Sequence, residues 1–330
     1  MWESVIGHAA VKEALRERLR AHRLPHALLL CGVRGIGKSR LAHVLARTLL
    51  CEKQGDVPCG TCASCRAVEA GTHPDFLCLE PTSKGKGSAM IRMEEMHGLL
   101  TALSRKPILS KQFVAVIDDA ERMNETAANR LLKTLEEPQG RVTFILITES
   151  RTSLLPTIVS RVMPVRFGML SREETVEVLK QAGLSETRAM ELAPLAFGSP
   201  GRALAFHEGY GEKGRALGDA ILKVLSEIKD SDIWRLGDEA HALSREDAGE
   251  SLRVLSLYLR DLLVLTMDGE AGLYFMEKRD AYLTFLSAGG LTAERIEACM
   301  TLVLEAMRRQ SSNAATRLLF ENLLLNMQKI

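Results

Sequence analysis

Runs of uninterrupted apolar residues alternate along the first half of the chain with segments whose apolar positions recur at helical spacing. Residues 27–31, 76–79, 113–117 and 142–148 are short and apolar. They read as strands of a parallel sheet, because a half-exposed strand would alternate with polar positions. Between them, Val11, Leu15 and Leu19 mark an amphipathic helix over 10–22 that Pro25 ends. Leu41, Val44, Leu45 and Thr48 mark another over 40–50. Ile91, Met96, Leu99, Leu100 and Leu103 mark a third, and residues 124–138 a fourth, capped by Asn124 and stopped by Pro138. The spacing therefore predicts an α/β domain.

The pattern changes near residue 168. Residues 168–207 read as short helices ending at Gly198, and from about 209 onward every segment is helical, through Ile221, Val224 and Leu225, then 252–265, then 296–307. Ser312 and Asn313 are expected to cap a last helix with an apolar stripe of Leu318, Leu319, Leu323 and Leu324. A helical bundle's own core accounts for most of these leucines, and nothing in this half supplies catalytic chemistry.

The stretch between the strand at 27–31 and its helix adds chemistry. Gly32, Gly37, Lys38 and Ser39 satisfy G-x-x-x-x-G-K-[ST], with Gly35 as a further glycine. Strand, glycine-rich loop and helix in that order form a phosphate-binding loop, since the backbone must curl its N–H groups around anionic oxygens where a Cβ would obstruct it. Lys38 is expected at the β- and γ-phosphates and Ser39 at Mg²⁺. The bland alternative is a chance glycine-rich turn. Asp118 ends the apolar strand 113–117, which is expected to lie beside the loop strand, and so suits a Mg²⁺ shell. Asp119 stands where a water-activating glutamate is usual, and it is shorter by one methylene, so binding is expected to outlast hydrolysis.

Composition narrows the class. The 330 residues are 46% hydrophobic and 26% charged with a formal net charge of +1, which gives no global reason for nucleic-acid binding. No apolar run reaches the roughly 18 residues of a membrane span, and the first residues lack a signal-peptide pattern, so a cytoplasmic location is expected. Of the seven cysteines, Cys51, Cys59, Cys62 and Cys65 cluster as C-x7-C-x2-C-x2-C. Four thiolates suffice for a closed, structural Zn²⁺ site; an iron–sulfur cluster or a redox pair are the alternatives. Cys31, Cys78 and Cys299 lie in apolar runs and are expected to fill the core. His26 is expected to be buried and hydrogen-bonded, and the basic loop 83–88 to be either solvated or a phosphate contact.

The phosphate loop, the cysteine insertion after its helix, residues 128–138 (Ala128 through Leu131, Leu132, Lys133, Thr134, Leu135, Glu136, Glu137 to Pro138) and the step Ser160-Arg161 occur in an order that resembles bacterial clamp-loader subunits. The resemblance covers nearly the full length and is greatest to the delta prime subunits of DNA polymerase III. It implies an AAA+ nucleotide-binding domain over 1–167 with a zinc insertion at 51–65, a helical lid over 168–207 and an all-α collar over 208–330. It also implies partnership with gamma/tau and delta subunits, and through them with a sliding clamp and primed DNA. ATP with Mg²⁺ is the implied ligand, with Thr148 counted among the nucleotide-binding residues. Arg161 is implied to act in trans as an arginine finger, the bland alternative being a surface arginine that ends a helix.

Three departures from that family stand out. Ser160-Arg161-Val162 replaces the usual Ser-Arg-Cys; the phosphate loop is intact where it is often decayed; and Gly201 occupies the place of a sensing arginine, with Arg202 one residue later. A gamma/tau-type motor ATPase is the alternative function. A zinc-dependent nucleic-acid module is a third, weakened by the lack of a basic, aromatic stripe around Cys59, Cys62 and Cys65.

Overall fold

The four apolar runs are strands β1 (Ala27–Cys31), β2 (Phe76–Leu79), β3 (Phe113–Ile117) and β4 (Val142–Thr148), and a fifth, β5 (Met163–Arg166), joins them. The computed structural model describes residues 1–83, 89–137, 140–209, 211–267, 272–287, 291–311 and 315–330. Most of the expected basic loop, Pro138 as a helix stop, and the Ser312-Asn313 cap lie outside the described residues. The chain divides into two units, Met1–Leu204 and Ala205–Ile330.

In the first unit all strand pairs are parallel, in the order β2-β3-β4-β1-β5. Every residue of β1, β3 and β4 is buried, and all but Thr143 and Thr148 of β4 are apolar, as strands covered on both faces require. Successive side chains point to opposite faces and so build two cores. Leu29, Ala115, Phe144 and Leu146 pack on one side with Leu99 and Leu103 of the helix Met93–Leu103 and Leu131 and Leu135 of the helix Glu125–Glu136. Leu28, Leu30, Val114, Val116, Ile145 and Ile147 pack on the other with Trp2, Leu15, Leu41 and Leu45.

Four expectations need correction. β3 does not adjoin β1, because β4 lies between them; since all strands run the same way, Asp118 and the phosphate loop nevertheless emerge at one edge of the sheet. Cys78 is exposed, because β2 is an edge strand, whereas Cys31 and Cys299 are buried. His26 is exposed, although its Nε2 is bonded to the Leu135 carbonyl at 3.1 Å. The first helix ends at Arg20, ahead of Pro25. By contrast, Asn124 does cap its helix, its Oδ1 accepting from the Ala127 N–H at 2.9 Å.

A buried polar node ties the loop before β3 to the segment after the cysteine insertion. The Asp75 carboxylate, fully buried, accepts from the N–H groups of Ile108, Leu109 and Ser110 at 2.7, 2.8 and 2.7 Å. The Asp75 N–H donates to Nδ1 of His73 at 3.0 Å, which leaves the ring proton on Nε2 to meet Ser64 Oγ at 2.7 Å. Burial pushes His73 below its usual range, which keeps this neutral tautomer. Serine, histidine and aspartate meet here, yet the carboxylate faces backbone amides and not the imidazole, so the cluster is a structural clasp.

The second unit consists of helices Glu212–Val224, Asp230–His241, Arg245–Thr266, Arg279–Ser287, Ala293–Ser311 and Thr316–Gln328. Of the expected last stripe, Leu319, Leu323 and Leu324 are buried and Leu318 is 66% exposed, because a helix covers only one face. Asp261, fully buried, clamps the segment after the longest helix by accepting from the N–H groups of Tyr274 and Phe275.

Replacing Asp75 by alanine is expected to strand three buried N–H groups and to lower stability by about 3 kcal/mol or more. Urea unfolding followed by circular dichroism measures this; a midpoint equal to that of the wild type contradicts the role assigned to Asp75.

Candidate functional site

The phosphate loop is shaped by what its carbonyls contact. Lys38 Nζ donates to the carbonyls of Gly32 and Val33 at 2.6 and 2.9 Å, Ser199 Oγ to that of Arg34 at 2.6 Å, and the Gly201 N–H to that of Gly35 at 2.9 Å. His8 Nε2 meets the Ile36 carbonyl at 2.8 Å. Five successive carbonyls are thereby turned toward the protein. Among the described residues, none of the N–H groups from Val33 to Gly37 is paired with a backbone carbonyl. They remain available to an anion, beside the positive end of the helix Lys38–Leu50.

The glycines answer to this geometry. Gly37 has φ 98° and Gly35 φ 79°, both in the left-handed region. A Cβ on Gly35 would stand 2.8 Å from Ser199 Oγ and 2.9 Å from the Gly201 Cα, and one on Gly201 would stand 2.6 Å from the Gly35 Cα. A side chain is thus excluded at Gly201, because two backbones touch there. Arg202 lies over the Phe197 ring, 5.3 Å from its centroid.

Four carboxylates act on the loop lysine. Lys38 is buried, and burial pushes its ammonium below the usual range while Glu149, Asp118, Glu121 and Asp119 pull it back. Asp118 follows β3 and accepts the Asp119 N–H at 2.9 Å. Asp119 has φ 45°, and its Oδ2 lies 3.9 Å from Arg34 and 3.6 Å from Arg122. Two cations therefore flank the Asp119 carboxylate. Thr148, fully buried at the end of β4, spends its hydroxyl on the Ser150 carbonyl at 2.9 Å. Ser39 is half-buried.

Two carboxylates here escaped the sequence reading. Glu121 Oε1 accepts from the Glu149 N–H at 3.1 Å, and its buried Oε2 has no hydrogen-bond partner among the described residues. The available signal was position alone: Glu121 lies three residues past Asp118, and Glu149 directly follows β4.

Cys51, Cys59, Cys62 and Cys65 converge, with all four sulfurs within 4.8 Å of one another. A tetrahedron of Zn–S bonds has an edge of about 3.8 Å, so the four fit one ion with slight contraction. N–H groups of Cys59, Cys62 and Cys65 point at the sulfurs of Cys51, Cys59 and Cys62 at 3.4, 3.4 and 3.3 Å, the pattern that supports thiolates. Backbone N–H groups of Thr61 and Cys62 hold the Cys59 thiol down at about 6, whereas burial pushes Cys65 up to about 12. A cation is what would keep all four deprotonated together. The insertion is also pinned by Asp56, which pairs with Arg16 and Arg20 at 2.9 and 2.8 Å.

Arg161 belongs to a different part of the sheet. It follows the short helix Pro156–Val159 and precedes β5, and its side chain is 35% exposed. One terminal nitrogen donates to the Thr157 carbonyl at 2.9 Å and to Ser160 Oγ at 3.1 Å, and the other to the Glu136 carboxylate. Val162 beside it is buried. The register pairs Leu28 with Met163 and Cys31 with Arg166. Arg161 therefore lies at the edge where β1 begins and the phosphate loop at the edge where it ends, a separation of about 20 Å along the strands. The structure gathers Gly32, Gly35, Gly37, Lys38, Ser39, Asp118, Asp119 and Thr148 at one edge and sets Arg161 apart.

Comparison with known proteins places this arrangement. The family described as DNA polymerase III, delta subunit, matches residues 7–171. The DNA polymerase III subunit delta' of Pseudomonas aeruginosa is 36% identical over 61% of this chain and 62% of its own length, just under two thirds. The Bacillus subtilis delta' is 28% identical over 97% of this chain and 95% of its own, and the Escherichia coli delta' 33% identical over 76% and 73%. Gamma and tau subunits of DNA polymerase III from several bacteria match 52–57% of this chain at 33–34% identity. Among solved structures, a gamma subunit-related protein of Thermotoga maritima covers 96% of this chain and 98% of its own at 17% identity, with a TM-score of 0.44, too low to carry an argument. On the family match and the relatives that span most of its length, the chain belongs to the DNA polymerase III delta' family.

Proposed function

We propose that the chain serves in a cytoplasmic bacterial clamp loader, with gamma/tau and delta subunits as partners, and assists ATP-dependent loading of a sliding clamp onto primed DNA. It holds Mg²⁺-ATP or its product in the loop of Gly32, Gly35, Gly37, Lys38 and Ser39, with Asp118 toward the metal, and has little or no hydrolytic activity by itself. Its catalytic contribution is Arg161, offered in trans to a neighbouring motor subunit. The supporting observation is the register of β5 on β1: an arginine about 20 Å along the strands from its own phosphate loop can act on phosphate only in another subunit's site. A guanidinium so placed stabilises the charge that spreads over a transferred phosphoryl group. In this reading residues 1–167 form an AAA+ domain, 168–207 a lid and 208–330 the collar.

The motor reading, a gamma/tau-type ATPase, draws on the intact phosphate loop. Asp119 between Arg34 and Arg122, and Gly201 in backbone contact with Gly35, weigh against it. We assign the four cysteines a structural Zn²⁺, since four thiol ligands close the coordination shell to water and substrate. When bound, the ion cross-links an insertion that has little core of its own.

Two outcomes follow. In a loader reconstituted with motor and delta subunits, Arg161→Ala is expected to slow single-turnover ATP hydrolysis at the adjoining motor site roughly a thousand-fold while the complex still assembles; an unchanged rate contradicts the finger. Elemental analysis of the purified chain is expected to give about one zinc per chain, and Cys62→Ser to lose the metal and lower the melting temperature. Chain that folds and melts as usual without metal contradicts the assignment.

A further inference from the structure

Arg161 reaches its place with help from the helix Glu125–Glu136, and that dependence singles out Glu136. Glu136 is the last residue of the helix, where a negative charge opposes the helix dipole. Its placement is explained by what it contacts: its Oε1 accepts from one terminal nitrogen of Arg161, while the other is bonded to Thr157 and Ser160. The guanidinium is thus fixed from two sides, by the end of the helix Pro156–Val159 and by the end of the helix Glu125–Glu136.

The second support is itself anchored. Leu135, the residue before Glu136, is buried in the core, and its carbonyl is bonded to His26 at the foot of β1. Glu136 therefore stands on a fixed point of the sheet edge, although its own side chain is half exposed. An unsupported arginine at such a surface would sample many rotamers, and only a small share of them would suit a transition state in another subunit.

We propose that Glu136 is a positioning residue for Arg161: it preorganises the guanidinium that this chain presents to its neighbour, and so couples the helix Glu125–Glu136 to the rate of the adjoining motor site. The proposal rests on the finger reading of Arg161. It assigns Glu136 no contact with nucleotide.

The test uses the reconstituted loader with primed DNA and clamp, measuring single-turnover ATP hydrolysis and the ATP concentration for half-maximal rate. Glu136→Ala is expected to lower the maximal rate of the adjoining site by roughly 5- to 30-fold with assembly, melting temperature and half-saturation unchanged. Glu136→Asp should recover part of the loss, and in an Arg161→Ala background Glu136→Ala should change nothing further. A maximal rate unchanged or raised by Glu136→Ala, while Arg161→Ala lowers it, overturns the positioning role and leaves the finger standing. An equal loss from Glu136→Ala with and without Arg161 also overturns it. If Arg161→Ala itself has no effect, the finger reading fails and the positioning role fails with it.

Discussion

The outward-facing amides of the phosphate loop depend on where its carbonyls go. From Gly32 to Ile36 every carbonyl is bound by a group of the first unit: two by the loop's own Lys38, two by Ser199 and Gly201 near residue 200, and one by His8 ahead of the first helix. A loop that satisfies its acceptors inward presents its donors outward, and anion affinity follows from backbone direction more than from side-chain charge. The parallel sheet makes this possible, because five strands ending at one edge bring the loop, Asp118 and Thr148 together without any of them being close in sequence.

On the proposed reading, the same edge separates holding a nucleotide from hydrolysing it. Anion capture needs amides, a lysine and a helix end, all of which are in place. Water activation needs a carboxylate free to accept a proton, and Asp119 is set between Arg34 and Arg122 in a left-handed backbone conformation. The opposite edge, where β1 and β5 begin, carries Arg161, its guanidinium bonded to Thr157, Ser160 and Glu136. A single sheet thus carries the phosphate loop at one edge and Arg161 at the other.

Much of this was legible in the residues. The buried strands were readable because parallel strands covered on both faces lose the alternation that would otherwise blur them, and the Asn124 cap because its side chain acts within its own turn. The cysteine cluster was readable from spacing, since its ligands lie within one short stretch. What was missed depends on contacts distant in sequence. The place of β4 between β1 and β3, the exposure of Cys78 on an edge strand, and the Ser64, His73 and Asp75 clasp are set by which segments meet, and local pattern does not encode that. Gly201 read as a lost arginine, whereas in the structure it is a backbone contact with Gly35 that a Cβ would break. Glu121 and Glu149 had no motif to announce them.

The central claim is that this chain binds nucleotide without turning it over. Titration of the isolated chain with Mg²⁺-ATP, paired with a steady-state hydrolysis assay on the same sample, tests it most directly. Saturable binding that is lost in Lys38→Ala, with no turnover above background, is the predicted result. Steady-state hydrolysis by the isolated chain that Lys38→Ala abolishes would contradict it and make the chain a motor in its own right.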